Sequence, residues 1–144
     1  MVRRLAQWIV AAIVGVSTSA SGVARQAAPE PGGYIVQHDG DVAATEPGPH
    51  NGGGRTIGHS FFRNTPGLRL VFRKRVLEPG SAIGHHVQQE DEIYYVLSGQ
   101  GVMTLDGRPV NVGPGTAILT RTGSSHSLRQ TGTENLVIII NYEQ

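Results

Sequence analysis

The chain changes character twice along its length. An apolar run from Leu5 to Val16, interrupted only by Gln7, follows Arg3 and Arg4 and gives way to small residues from Ser17 to Ala24. Charged, then apolar, then small is the layout of a secretory signal. It predicts export, with residues 1–20 removed as a signal peptide, or cleavage as late as Ala24. The run falls short of the roughly 20 apolar residues of a membrane span, so no membrane insertion is expected after cleavage.

Residues 21–55 read as a flexible N-terminal segment. Pro29-Glu30-Pro31-Gly32-Gly33 has too little apolar surface to order itself. Tyr34-Ile35-Val36 is a short strand candidate. Glu46 to Gly54 packs four glycines and two prolines into nine residues, which excludes a helix or a central strand.

From residue 56 the pattern becomes alternation and turns. Leu68, Leu70, Phe72 and Val76 share one parity, and Arg69, Arg73 and Arg75 share the other, as in a half-buried strand. On that reading the apolar set faces the core. The run Arg69, Arg73, Lys74 and Arg75 is then a solvated face, with an anion-attracting surface as the alternative. Further strands are expected at Ile93–Leu97, Val102–Leu105, Arg108–Val112, Thr116–Thr120, His126–Gln130 and Leu136–Tyr142. Asp106-Gly107 is a two-residue hairpin signal. Seven or eight short strands about ten residues apart, with no helical period, predict an all-β antiparallel sandwich or barrel for residues 56–144.

Composition sharpens this picture. Twenty glycines in 144 residues are about twice the average share, and charged residues at 16% fall well below it. The formal charge of +1 becomes −1 once Arg3 and Arg4 are removed, so the basic face that nucleic-acid binding needs is missing. Absence of cysteine removes disulfides, thiolate metal sites and Cys nucleophiles together.

Candidate chemistry concentrates between Gly80 and Gln130. His86 and Gln88, two apart on a strand, face the same side. Glu92 opens the next apolar strand, and His126 follows the Gly123-Ser124-Ser125 turn. Two imidazoles and one carboxylate form the triad that suits Fe(II), Mn(II) and similar divalent ions, with Gln88 adding a neutral oxygen donor. The alternative is a metal-free polar pocket. His85 points to the face opposite His86, and Glu90 and Asp91 read as solvated turn charges. Tyr94 shares the parity of Glu92, as pocket lining or plain core. His50 and His59 fall outside the cluster and read as surface or loop residues.

These residues resemble the cupin superfamily. Its first motif appears as Gly80, five residues, His86-Val87-Gln88, three residues, Glu92, six residues, Gly99. The second appears as Gly115, five residues, Arg121-Thr122-Gly123, two residues, His126, three residues, Gln130. The likeness covers roughly residues 66 to 142. It implies a jelly-roll cupin β-barrel, usually a homodimer, with a metal held by His86, Gln88, Glu92 and His126. Three positions depart from the pattern: Gln88 replaces the second histidine, Arg121 the proline and Gln130 the asparagine. Trading a nitrogen donor for an oxygen one favours iron or manganese over zinc, with nickel as a further candidate. The readings that follow are a small enzyme of dioxygenase, isomerase or lyase type, a non-catalytic module for a small ligand or metal, and a structural domain with a vestigial pocket.

Overall fold

The computed structural model describes residues 32–144, so the signal-peptide reading lies outside the described residues. One helical turn, α1 (Asp39–Val42), precedes ten strands: β1 (Ala43–Pro47), β2 (Arg55–Phe61), β3 (Leu70–Leu77), β4 (Ala82–Val87), β5 (Glu92–Ser98), β6 (Gln100–Leu105), β7 (Arg108–Val112), β8 (Ala117–Thr120), β9 (Ser125–Thr131) and β10 (Leu136–Glu143). They form a six-stranded sheet in the order β1-β2-β3-β10-β5-β8 and a four-stranded sheet in the order β4-β9-β6-β7. Every ladder is antiparallel. The all-β expectation holds in the form of a two-sheet jelly roll. The closed barrel does not, because no ladder joins the edge strands of one sheet to those of the other.

The core lies between the sheets. Leu77, Tyr94, Val96, Leu136, Ile138 and Ile140 from the larger sheet meet Ile83, Met103 and Leu128 from the smaller one. Burying a side chain of this size contributes about 1.5–3 kcal/mol. Alternation along β5 divides that strand cleanly: Glu92, Tyr94 and Val96 are buried, while Ile93, Tyr95 and Leu97 are exposed.

In β3 the expected faces are reversed. Arg75 is 3% exposed and Leu77 is fully buried, whereas Leu68 and Leu70 lie open to solvent. Parity along the strand was legible, but not which side faces inward, because the buried set itself carries charge. Arg75 is tolerated there because its Nη1 donates to Thr56 Oγ1 at 2.9 Å and its Nη2 to Glu46 Oε2 at 3.0 Å. Tyr34, Ile35 and Val36 form no strand and are exposed.

The glycine-rich stretch after β1 runs as a strap along the edge of β4. Pro49 O accepts from Gly52 N and Gly84 N, Gly53 O accepts from Ala82 N, and Ser81 Oγ accepts from Arg55 N. Its glycines permit that approach: a Cβ on Gly52 would sit 2.0 Å from Ala82 O, and one on Gly84 would sit 1.9 Å from His50 O. The strap turns through left-handed backbone at His50 and Asn51. At the far end, Asp106 (φ 46°) and Gly107 (φ 80°) make the expected tight hairpin between β6 and β7.

Candidate metal centre

His86, on β4, pairs directly with His126 on β9 in the smaller sheet. Glu92, the first residue of β5, reaches them from the larger sheet. Their ligating atoms all lie within 4.8 Å of one another. His86 Nδ1 is engaged with Gly84 O at 2.9 Å, which leaves its Nε2 free, the usual arrangement of a ligating imidazole. His126 Nε2 lies 3.4 Å from Glu92 Oε2 and 2.9 Å from the Tyr94 hydroxyl.

The residues fit a cation. Glu92 Oε2 is buried and has no hydrogen-bond partner, an expensive state for a carboxylate oxygen unless a positive charge meets it. Desolvation, with repulsion from His126, pushes His86 below its ordinary value of 6.5, so it is neutral and able to donate a lone pair at neutral pH. Burial, and then the nearby Glu92 charge, push the Tyr94 hydroxyl well above 10.0, so it stays protonated. Two nitrogens and a carboxylate oxygen suit Fe(II) or Mn(II), with further positions left for water or ligand.

A cavity of about 190 Å³ opens beside these groups, room for roughly six waters. Gln88, buried at 7% exposure, lines it with His86 and Glu92, so three of the four sequence-predicted residues share this wall. His126 lies beneath them, fully buried. His85 is exposed on the other face of β4, as its parity requires.

Other lining residues fell outside the motif reading. His50, from the strap, lies against His86 with ring centroids 3.6 Å apart and planes 7° from parallel. Lone pairs lie in the ring planes, and near-parallel planes this far apart do not meet at one ion. His50 is therefore a wall of the site in this arrangement and not a ligand beside His86. Desolvation, and then the positive charge of a protonated His86, lower its pKa below 6.5. Arg73 and Arg75 also line the cavity. For Arg75 the available signal was its parity with Leu77. For His50 it was the glycine density around it, which marks close backbone approach.

The departures from the motif have local roles. Gln130 Oε1 accepts from Gly80 N, and its Nε2 donates to the carbonyls of Thr131, Gly132 and Glu134, tying the turn after β9 to the start of β4. Arg121 pairs with Asp91 at 2.7 Å, and Asp91 also accepts from Thr122 N. That backbone hydrogen bond is the main reason the Asp91 carboxyl titrates below its usual range.

A two-sheet jelly roll with a His-Glu-His group between its sheets is the architecture of a cupin-type domain. Residues 74–142 match the family model for the Cupin domain. An oxalate-binding protein from Thermotoga maritima is 40% identical over 67 residues, which cover 46% of this chain and 55% of the relative. The match thus spans little more than half of that protein's length. Among solved structures, a predicted oxalate decarboxylase from Thermotoga maritima superposes with a TM-score of 0.69 at 26% identity, covering 76% of this chain and 98% of that one. The polyketide cyclase RemF from Streptomyces resistomycificus, at 24% identity and a TM-score of 0.64, covers 76% of this chain and 79% of its own. At that identity it shares the fold alone.

Proposed function

We propose that this chain is an exported small cupin that holds one divalent ion, iron or manganese, on His86, Glu92 and His126. Gln88 stands as the fourth donor, and a small organic molecule occupies the adjoining cavity. The observation that carries the reading is the unpartnered, buried Glu92 Oε2 facing two imidazoles whose ligating atoms lie within 4.8 Å. When bound, such an ion supplies Lewis acidity and open positions for a ligand. The chain's residues would hold it in place: Gly84 O orients His86, the Tyr94 hydroxyl packs against His126 Nε2, and the sheets enclose Glu92 and His126.

Export rests on the amino-terminal pattern of the sequence. A homodimer is part of the same proposal, supported by the exposed Ile93, Tyr95, Leu97 and Leu119 on the outer face of β5 and β8. The ladder sets Ile93 opposite Leu119 and Tyr95 opposite Ala117, so these residues form one apolar patch. A binding role without turnover is the second reading, favoured by the name of the oxalate-binding Thermotoga relative.

Metal analysis of the mature protein, purified without chelators, tests the centre. About one equivalent of iron or manganese is expected, and less than about a tenth would sink the reading. Glu92→Ala and His126→Ala should each strip the ion, whereas His85→Ala should retain it. Loss of metal in His85→Ala would mean that the ligand register is wrong by one residue. Turnover assays on phenolics, keto acids and sugars, with oxygen consumption recorded, then separate an enzyme from a binder.

A further inference from the structure

A second cavity, of about 470 Å³, opens where the loop of residues 62–69 joins β2 to β3. Small-molecule sites occupy roughly 300–1,000 Å³, a range this cavity enters and the 190 Å³ beside His86 does not. None of the candidate metal ligands belongs to its wall, and Arg73 is the one residue the two walls share. Arg63, Arg69 and Arg73 line it together with Ser60 and the rings of Phe61, Phe62 and Phe72. Two of these arginines come from the run whose pattern left an anion-attracting surface open as a reading of the sequence.

Ion pairing leaves this wall positive. Arg69 is paired with Glu143 at 3.3 Å and donates Nε to Gln144 O. The one acidic side chain on the wall, Glu46, is paired with Arg75. Among the described residues no acid is paired with Arg63 or Arg73. Arg73 is half-buried, where an unmet charge costs more than on open surface. Two uncompensated cations match the charge of close to −2 that a phosphomonoester carries at neutral pH. A monocarboxylate would offset only one of them. Guanidinium forks also suit phosphate, whose three terminal oxygens can accept from both arginines at once.

Backbone strain falls at the same place. Phe62 has φ 57°, a left-handed conformation that bulky residues rarely adopt. Gln37 Oε1 accepts from Phe62 N at 2.7 Å, and Thr65 N donates to Phe62 O at 3.0 Å, which together hold it there. Strain persists where the surroundings enforce it, and it concentrates at ligand clamps. The Phe62 ring lies 6.1 Å from that of Phe61, which lies 5.8 Å from that of Phe72. Three rings beside two free guanidinium groups suit a molecule with an aromatic body and an anionic head.

We propose that this second cavity binds an organic phosphomonoester, its phosphate met by Arg63 and Arg73 and its body by Phe62 and the neighbouring rings. The site needs no metal and stands independently of the ion on His86, Glu92 and His126.

The test is calorimetric titration of the mature protein, metal-free and manganese-loaded, with phenyl phosphate, inorganic phosphate and benzoate. Phenyl phosphate should bind alike in both metal states. It should bind about tenfold tighter than inorganic phosphate, which lacks the ring, and than benzoate, which carries half the charge. Arg63→Gln and Arg73→Gln should each weaken it by about tenfold to a hundredfold, through loss of a charge-assisted hydrogen bond. Arg108→Gln, on β7, should bind it like the wild type. Arg63 is exposed, so its replacement leaves the fold intact. In amide NMR spectra, phenyl phosphate should shift Ser60 and Phe62 and leave His126 in place. The proposal is overturned if phenyl phosphate fails to bind, or binds only when manganese is present. It is equally overturned if benzoate or inorganic phosphate binds as tightly, or if either the Arg63 or the Arg73 variant matches the wild type.

Discussion

Arg75 shows how one residue can reverse the reading of a strand. Alternation in β3 was plain in the sequence, and charge was assigned outward because solvated arginines are the rule. The structure turns Arg73 and Arg75 inward, and the partners that make this tolerable, Glu46 and Thr56, lie 29 and 19 residues earlier. No local pattern reveals such distant compensation. Glu46→Gln should lower stability by about 1–2 kcal/mol in chemical denaturation. That is less than the ~3–5 kcal/mol of a fully enclosed pair, since the Glu46 side chain is 43% exposed. The imidazoles give a second residue-scale expectation. His50 and His86 both titrate below 6.5 in the folded chain, mainly through desolvation. As pH falls through that ordinary value, the unfolded chain takes up protons that the folded chain refuses, so folding stability drops. Melting temperatures of the metal-free protein should therefore decline below about pH 6.5, and His50→Ala should flatten the decline.

At the scale of elements, the strap between β1 and β2 was the least legible part of the chain. Its glycines and prolines correctly excluded a helix or central strand, and Ala43–Pro47 is indeed an edge strand. The same glycines suggested freedom, yet several of them serve close contact, and their reason lies in the backbone of β4. The motif elements read far better. Gly80, His86, Glu92, Gly99 and His126 fall on β4, β5 and β9 or their turns as the spacing required, because local turn chemistry sets those offsets. Gly84→Ala tests the strap directly. Its Cβ would collide with His50 O, so the strap must lift or β4 must shift. A loss of about 1–3 kcal/mol is expected, readable as a lower melting temperature. A loosened His50 ring should accompany it, visible in imidazole NMR shifts.

At the scale of the whole molecule, the antiparallel all-β character followed from periodicity, but strand number and closure did not: seven or eight strands were expected over residues 56–144, where β2 to β10 make nine. Alternation fixes which residues face a partner layer and says nothing about whether sheet edges meet, so a barrel was expected where two sheets stand apart. The outward face of β5 and β8 carries the molecular-scale prediction. Light scattering should report a dimer, and Leu119→Lys or Tyr95→Glu should yield a folded monomer, because either charge would be buried without a partner. No helix among the described residues is long and apolar enough to cross a membrane. The ion pair under the cavity has one last consequence. The family match begins at residue 74, yet Glu46, His50, Thr56 and Arg73 all precede it. A graft of residues 74–142 into another scaffold would inherit His86, Glu92 and His126 while orphaning Arg75. The heritable unit of this site therefore starts at the first strand, some thirty residues before the recognisable domain.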